Sequence, residues 1–527
     1  MDLQPILVNG TWRQAKSPVA SFSPIDPSTA KSLEVSYPIS SIAEVEEAIE
    51  AGQAAASALF KTSPEAIAAF LENFADSIES YIDELVGIAH QETALPKEPR
   101  LKSTELPRTT NQLRQAAQAA RDLSWCRATV DTKANIRSKY GPLGGPVVVF
   151  GPNNFPFAFN SAAGGDFAAA IAAGNPVLAK ANPGHPGTTK IFAEFAFESI
   201  KKAGLPEAAV QLIYHLRPED GLKLVGHPLV GATSFTGSRP AGMRLKEAAE
   251  KAGKLIYLEM SSVNPIFILP GAMKERADAI ASELFNSCAL GAGQFCTKPG
   301  LVVLVRDEKS EDFFRTLKNF FEQPPAGFLL GQNVLDGIDT AIRTMKNAGA
   351  QIVTGGEKLE GPGFRYADTL LRVSGEIFLQ NPGALQHEAF GTVTLAVFAK
   401  DFDQMTKVAA SLEGNLTASI YCHSADQDEN LCARLEPVLR RKVGRLLNDK
   451  MPTGVAVSPA MVHGGPFPAS GHPGFTAVGI PASLLRFAAL YGYDNVRPNR
   501  LPPELRDKNP TGHMWRLIDG EWTKRDI

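Results

Sequence analysis

Two rhythms of apolar residues alternate along this chain. Over residues 42–120, Ala, Leu and Ile recur every third and fourth position among Glu and Gln, a spacing that predicts long amphipathic helices. Ahead of it, Val8-Asn9-Gly10-Thr11-Trp12 predicts a short hairpin about an Asn-Gly turn. From about Pro142 the rhythm changes. Val147-Val148-Val149-Phe150 is a strand-like run into Gly151-Pro152, followed by a small-residue helix over 162–173, a strand over 176–179, a helix over 186–203 and a strand over 210–214. Strand and helix alternating at this period predict parallel βαβ units, which bind nucleotides at the carboxyl ends of their strands. A second such series starts near residues 264–269 and continues through 302–305 to 418–420. The pattern predicts two α/β domains meeting at a cleft. A small β element is expected from residues 129–140 and part of the C-terminus. The Pro- and Arg-rich stretch around Arg497-Pro498-Asn499-Arg500 reads as an extended tail on the surface.

Composition narrows the class. A chain of 527 residues can build two or three cores, and 44% apolar with 21% charged residues is ordinary for a globular protein. The 53 basic and 56 acidic residues leave a net charge of −3, which offers no electrostatic case for nucleic acid or an anionic membrane. No basic n-region followed by an apolar core opens the chain, and no long apolar run predicts a membrane span, so a cytoplasmic protein is expected. The five cysteines include no CxxC pair and the nine histidines lack ligand spacing, so neither a disulfide framework nor a structural metal is expected.

Several short runs carry chemistry. Cys296 sits in Gly-Ala-Gly-Gln-Phe-Cys-Thr-Lys-Pro (291–299), where glycines let backbone approach a ligand closely. Its thiol reads either as an inert buried group or as a nucleophile, if something removes its proton. Asn154, in Gly151-Pro152-Asn153-Asn154-Phe155-Pro156, follows a strand and reads as a helix cap or as a donor to developing negative charge. Lys180 ends the next strand, placed for ribose or phosphate oxygens or merely for water. Phe235-Thr236-Gly237-Ser238 opens a helix whose first N–H groups suit a pyrophosphate. Glu259 follows an apolar strand, where burial would raise its pKa towards general-base work or an ion pair would hold it. His387-Glu388-Ala389-Phe390-Gly391 puts a carboxylate and a ring beside a glycine.

Taken in order, Pro152 to Pro156, Lys180, Phe235 to Ser238, Glu259 to Ser262, Gly293 to Cys296 and Glu388 to Gly391 resemble the motifs of the aldehyde dehydrogenase superfamily over nearly the whole chain. More narrowly, Lys180 to Gly187, Gly293 to Gly300, Pro452 to Val455 and His463 to Ala469 resemble the 2-oxoglutarate semialdehyde (2,5-dioxovalerate) dehydrogenase branch, which also includes an NADP-dependent fatty aldehyde dehydrogenase. The resemblance implies an α/β fold with a Rossmann-like cofactor domain (1–125 and 142–260), an α/β catalytic domain (261–457), and a small β oligomerisation element with the C-terminal tail (126–141 and 458–527). It implies oxidation of an aldehyde to an acid. Cys296 would be the nucleophile, Glu259 the base that activates water, and the Asn154 amide with the Cys296 N–H the oxyanion donors. Lys180, Gly237, Ser238, Glu388, Phe390, Pro152 and Phe155 would bind the cofactor.

Where the family usually has paired glycines after the base, this chain has Ser261 and Ser262. Where many NAD-specific members carry an acid shortly after the strand-end lysine, it has Pro183. Without that acid a 2′-phosphate is not repelled, and Lys180, with Arg217 nearby, would attract it; NADP is favoured and NAD permitted. The segment after Phe487 departs from the branch. Arg108, on a predicted helix, is a candidate partner for a distal carboxylate, with Phe157 and Phe295 as further substrate contacts. The expected substrate is a small oxo-acid semialdehyde and the expected assembly a homodimer or homotetramer. Alternatives are a fatty or other aldehyde, transfer of the thioester to coenzyme A, and a catalytically silent scaffold.

Overall fold

The computed structural model describes residues 3–325 and 327–527. The Asn-Gly hairpin forms: Ile6–Val8 pairs antiparallel with Thr11–Arg13, and Asn9 and Gly10 take φ of 53° and 68°. Two consecutive positive φ values are what a two-residue turn needs to match strand twist. This hairpin is one edge of a seven-stranded sheet. Crossing from the other edge, its strands are Leu255–Glu259, Ala232–Thr236, Val147–Phe150, Val177–Lys180, Val210–Ile213, and then the hairpin. The first five of these run parallel. Val147, Val148 and Val149 are fully or almost fully buried, as strands covered by helices on both faces must be.

The predicted helical region forms Ile42–Leu59, Pro64–Ser80, Ile82–Thr93 and Leu106–Asp122, joined across Lys97–Glu105 by a wide π-type turn. Helix Pro186–Ala203 matches its predicted bounds and ends at Gly204, φ 68°. The small-residue helix begins only at Gly165. Ahead of it the chain is held in tight turns, with the Asn160 side chain accepting from Ala162 N at 2.9 Å and donating to Pro156 O at 2.8 Å. Side-chain bonds of this kind compete with a helix.

A second seven-stranded sheet runs Gln351–Thr354, Thr369–Ser374, Val393–Ala399, Leu301–Val305, Ile266–Ile268, Asn415–Tyr421 and Val443–Asn448, parallel except for its first strand. Leu301 and Val303 pack into one core and Val302 and Leu304 into another, on opposite faces, each buried side chain contributing about 1.5–3 kcal/mol.

The small β element expected from residues 129–140 and part of the C-terminus forms, and residues 497–500 lie exposed, but the rest of the tail is folded into that element instead of lying extended on the surface. Ala488–Asp494, Arg516–Ile518 and Glu521–Thr523 join Thr129–Asp131 and Ile136–Pro142 in a five-stranded sheet. Arg516 is fully buried and donates to Arg506 O at 2.6 Å and Arg525 O at 2.7 Å; Arg137 donates to Leu505 O and pairs with Asp507 at 2.8 Å. Arginines that composition alone marks as solvated instead satisfy carbonyls of the proline-interrupted chain. No helix among the described residues is long and apolar enough to cross a membrane.

Candidate active site

Cys296 is delivered by a backbone that only small residues allow. Helix Pro270–Ala289 ends, and Gly291, Ala292 and Gly293 follow with φ of 60°, 53° and 73°. A Cβ at Gly293 would lie 2.0 Å from the carbonyl carbon of Gly391, so the cysteine loop and the turn carrying Glu388 and Phe390 touch backbone to backbone. Buried amides then fix the loop. Asn264 Nδ2 donates to Cys296 O at 2.8 Å and Lys298 O at 2.9 Å, while Gln294 accepts from Leu330 N at 2.8 Å and donates to Phe328 O at 3.0 Å. Lys298, two residues past the cysteine and buried, donates to Ala389 O at 3.0 Å and Val393 O at 2.8 Å, tying the loop to the Glu388 turn.

Asn154 is buried and donates to Gln294 O at 2.8 Å, which leaves its second amide hydrogen for another acceptor. Its loop hangs on a buried ion pair. Arg100 pairs with Glu105 and also donates to Asn154 O at 2.8 Å, and Glu105 accepts from Phe157 N at 2.8 Å and Ala158 N at 2.9 Å. The Arg100 guanidinium lies 4.4 Å from the Phe155 ring centre and 5.1 Å from that of Phe295.

Glu259 ends the edge strand Leu255–Glu259, and residues around Ser470 run back along it. That return brings His463 into the site, a residue that sequence placed only in a family-like run. Its Nε2 lies 2.9 Å from Glu259 Oε1 and 3.5 Å from Cys296 Sγ, while its backbone N–H rests on Thr476 Oγ1 at 3.0 Å. The other oxygen, Glu259 Oε2, is buried with no hydrogen-bond partner. Burial and the Glu259 charge hold the Cys296 thiol well above its usual pKa, with Arg108 pulling the other way. The resting sulfur is therefore a neutral thiol, and a neighbouring base has to take its proton.

Arg108, on Leu106–Asp122, is not the solvated side chain that a polar helix face would give. Its Nε and Nη2 are buried without a hydrogen-bond partner, and the guanidinium lies 5.0 Å from the ring centre of Phe159, whose ring is 5.7 Å from that of His463. Burial lowers its pKa, against the charges of Glu105, Cys296 and Glu259. Phe157 differs from its expected place: it is fully buried, edge-on to Phe192 at 5.6 Å in the core. Residue 157 follows a proline turn that aims its ring inward, and Phe159 is the ring that meets Arg108 and His463.

The carboxyl ends of the first sheet suit a dinucleotide. Burial alone lowers the Lys180 pKa to about 8, with no neighbouring carboxylate among the described residues to raise it. His215, past the end of the neighbouring strand, has a buried Nδ1 with no partner. Arg217, by contrast, is engaged with Asp220 at 2.8 Å and Glu219 at 3.3 Å. Ser238 caps helix Arg239–Lys251 without bonding its side chain to the helix, leaving hydroxyl and end amides free for an anion. Gly237 donates to Glu259 O at 3.1 Å. Pro152 is buried, and its carbonyl meets His185 Nε2 at 2.8 Å. Across the cleft, burial raises the Glu388 pKa, and the Ser261 hydroxyl and Ser262 N–H beside it pull it back. Of the serines that replace the glycine pair, Ser261 thus faces this carboxylate with its hydroxyl, whereas the Ser262 hydroxyl donates to Asn264 Oδ1 at 2.8 Å. Phe390 packs at the margin of the second core.

Residues 12–445 match the model of the aldehyde dehydrogenase family. The chain is 38% identical over 509 residues to alpha-ketoglutaric semialdehyde dehydrogenase 2 of Azospirillum brasilense, covering 94% of this chain and 95% of that protein. It is 36% identical over 501 residues to alpha-ketoglutaric semialdehyde dehydrogenase of Acinetobacter baylyi, 92% of each. Its fold superimposes with a TM-score of 0.79 on a 1-pyrroline-5-carboxylate dehydrogenase from Thermus with bound NAD, at 23% identity, over 93% of this chain and 92% of that one. The chain belongs to the aldehyde dehydrogenase family, whose members use NAD(P), and is an oxidoreductase acting on the aldehyde group.

Proposed function

We propose that this enzyme oxidises 2-oxoglutarate semialdehyde to 2-oxoglutarate through a thioester on Cys296, with NADP preferred over NAD. The observation that carries the substrate class is Arg108: a guanidinium with two buried, unpartnered nitrogens near the nucleophile is costly unless an anion comes to it. The relatives named alpha-ketoglutaric semialdehyde dehydrogenases support a short aldehyde ending in a carboxylate. A fatty aldehyde would give Arg108 no partner.

In this reading Cys296 attacks the aldehyde carbon, and its proton leaves towards His463, whose Nε2 stands 3.5 Å from the sulfur. The free Asn154 amide hydrogen and the Cys296 N–H receive the oxyanion. A bound NAD(P) supplies the hydride acceptor. Lys180 and Glu388 would hold the ribose hydroxyls, Ser238 and the Gly237 turn the pyrophosphate, with Phe390 and Pro152 packing around; Phe155, expected there as well, instead packs on Phe159, Phe295 and the Arg100 guanidinium, towards Arg108. Glu259 then draws a proton from water, which opens the thioester to the acid. That base speaks against coenzyme A as acceptor, since only hydrolysis needs it, and the assembled site speaks against a silent scaffold. For the cofactor, Lys180 without a carboxylate partner, the open Nδ1 of His215 and Pro183 in place of an acid support a 2′-phosphate. We also assign residues 1–125 and 142–260 to cofactor binding, 261–457 to catalysis, and the five-stranded sheet to a homo-oligomer contact.

The test is kcat/KM for 2,5-dioxovalerate, succinic semialdehyde and a long-chain aldehyde, each with NADP and NAD, in wild type and Arg108→Met. Arg108→Met should lose tenfold or more on the carboxylated aldehydes, about 1.4 kcal/mol or above, and little on the long-chain one. Equal losses on all three would remove Arg108 as the selector.

A further inference from the structure

The sulfur, imidazole and carboxylate at this centre form a set that no spacing in the sequence shows. Cys296 Sγ, His463 Nε2 and a Glu259 oxygen all lie within 4.8 Å of one another. We propose that these three side chains form a binding site for a thiophilic divalent cation, Zn2+ foremost, and that its occupancy reversibly switches the enzyme off.

Geometry comes first. Zinc bonds of about 2.3 Å to sulfur and about 2.0–2.1 Å to nitrogen and oxygen, at tetrahedral angles, set ligand atoms about 3.3–3.6 Å apart. The Cys296–His463 separation of 3.5 Å is already in that range, the His463–Glu259 contact of 2.9 Å has to open by a few tenths of an ångström, and the Cys296–Glu259 edge, within 4.8 Å, has to settle into the same range as the metal binds. The ligands sit on a scaffold fixed without a metal: Asn264 holds the Cys296 carbonyl, Thr476 the His463 N–H, and the return segment the Glu259 strand. The site is therefore an addition to a folded enzyme and not a folding requirement.

Chemistry comes second. Thiolate with imidazole selects Zn2+, Co2+ or Cd2+ over Mg2+ and Ca2+, which prefer all-oxygen shells. Glu259 Oε2 is buried with no partner, so the carboxylate has acceptor capacity the protein leaves unused. Thiolate and carboxylate together cancel the dication's charge, which matters in a buried site. The step balances without a redox partner: Zn2+ replaces the thiol proton, which passes to solvent, and a Zn–S bond forms. Three protein ligands leave one position for water.

Inhibition rests on the assignment of Cys296 as nucleophile and Glu259 as base, because both lone pairs would be engaged by the metal; binding does not rest on it. Cofactor binding, at the strand ends, should be untouched. Cys422 and Cys432, each of which influences the other's titration, are the competing thiols and need a control.

The experiment uses the reduced full-length enzyme with Zn2+ or Co2+ salts. Expected are one Zn2+ per chain by calorimetry, a sulfur-to-cobalt charge-transfer band with Co2+, and at least tenfold loss of aldehyde oxidation, competitive with aldehyde and reversed by EDTA. Cys296→Ala and His463→Phe should lose the band, while Cys432→Ser keeps it. Should either variant fail to fold, judged by lost NADP quenching of tryptophan fluorescence, wild type alone decides: Zn2+ should protect Cys296 from iodoacetamide and EDTA should abolish the protection. A band that persists in Cys296→Ala, or alkylation of Cys296 that Zn2+ does not slow, overturns the site. Cys296-dependent binding with undiminished aldehyde oxidation would leave the site standing and overturn the assigned nucleophile.

Discussion

A single half-buried lysine at a strand end sets the clearest pH signature. Lys180 is lowered to about 8 by burial alone, so in the free enzyme it is charged below that pH and neutral above it. An ammonium attracts a 2′-phosphate and a neutral amine does not. kcat/KM for NADP, which reports the free enzyme, should therefore fall as pH rises through about 8, and that for NAD should fall less. Lys180→Met should lower the NADP value and flatten this limb; an unchanged limb would detach it from Lys180. Glu259→Gln tests the base. Rapid mixing should still show a burst of NAD(P)H, because acylation needs Cys296, while steady turnover falls by roughly 10²–10⁴-fold, the usual worth of a general base. Loss of the burst as well would give Glu259 a part in thiol deprotonation, through the His463 contact.

At the scale of elements, the oxyanion loop depends on a strut that sequence reading did not find. Arg100 and Glu105 lie in the Lys97–Glu105 turn, which looks polar and exposed as a string, yet their side chains are only 8% and 0% exposed. Glu105 takes two backbone N–H groups from the Asn154 loop, and Arg100 takes its carbonyl. Removing one partner leaves a buried charge and two amides unmatched, a cost of roughly 3–5 kcal/mol. Glu105→Ala should lower the melting temperature and reduce kcat more than it raises KM, since Asn154 would lose its aim. A variant with wild-type kcat would separate the strut from catalysis. The only sequence sign was five-residue spacing of opposite charges beside a proline, which is commonplace. Lys298 was hidden in the same way: it lies two residues past the cysteine, but its duty to the Ala389 and Val393 carbonyls exists only once two distant loops meet.

For the whole molecule, the five-stranded sheet gathers several exposed apolar side chains. Leu490 (63%), Trp522 (55%), Trp515 (46%) and Ile136 (46%) all lie on or beside it, and Ala488–Asp494 is an edge strand with one side unpaired. An exposed edge with apolar side chains invites a second strand, and a second copy of this chain is the proposed occupant. Leu490→Asp should shift the enzyme to a smaller species by light scattering after size exclusion, with the cofactor site still able to bind NADP. An unchanged mass would move the contact elsewhere.

Local order in the chain was enough for the strands, the long helices, the Asn-Gly hairpin and the ordered motifs around Asn154, Lys180, Glu259, Cys296 and Glu388, because each depends on residues adjacent in sequence or on a family-wide order of motifs. The folded state alone decided that His463 bridges Cys296 and Glu259, that Nε and Nη2 of Arg108 are buried without a partner, that Phe159 and not Phe157 faces the site, and that the C-terminus adds strands to a sheet with Arg516 buried in it. These are outcomes of long-range packing. A side chain's partner across hundreds of residues depends on which backbone groups are left unsatisfied when the sheets close, and that quantity does not exist until they do.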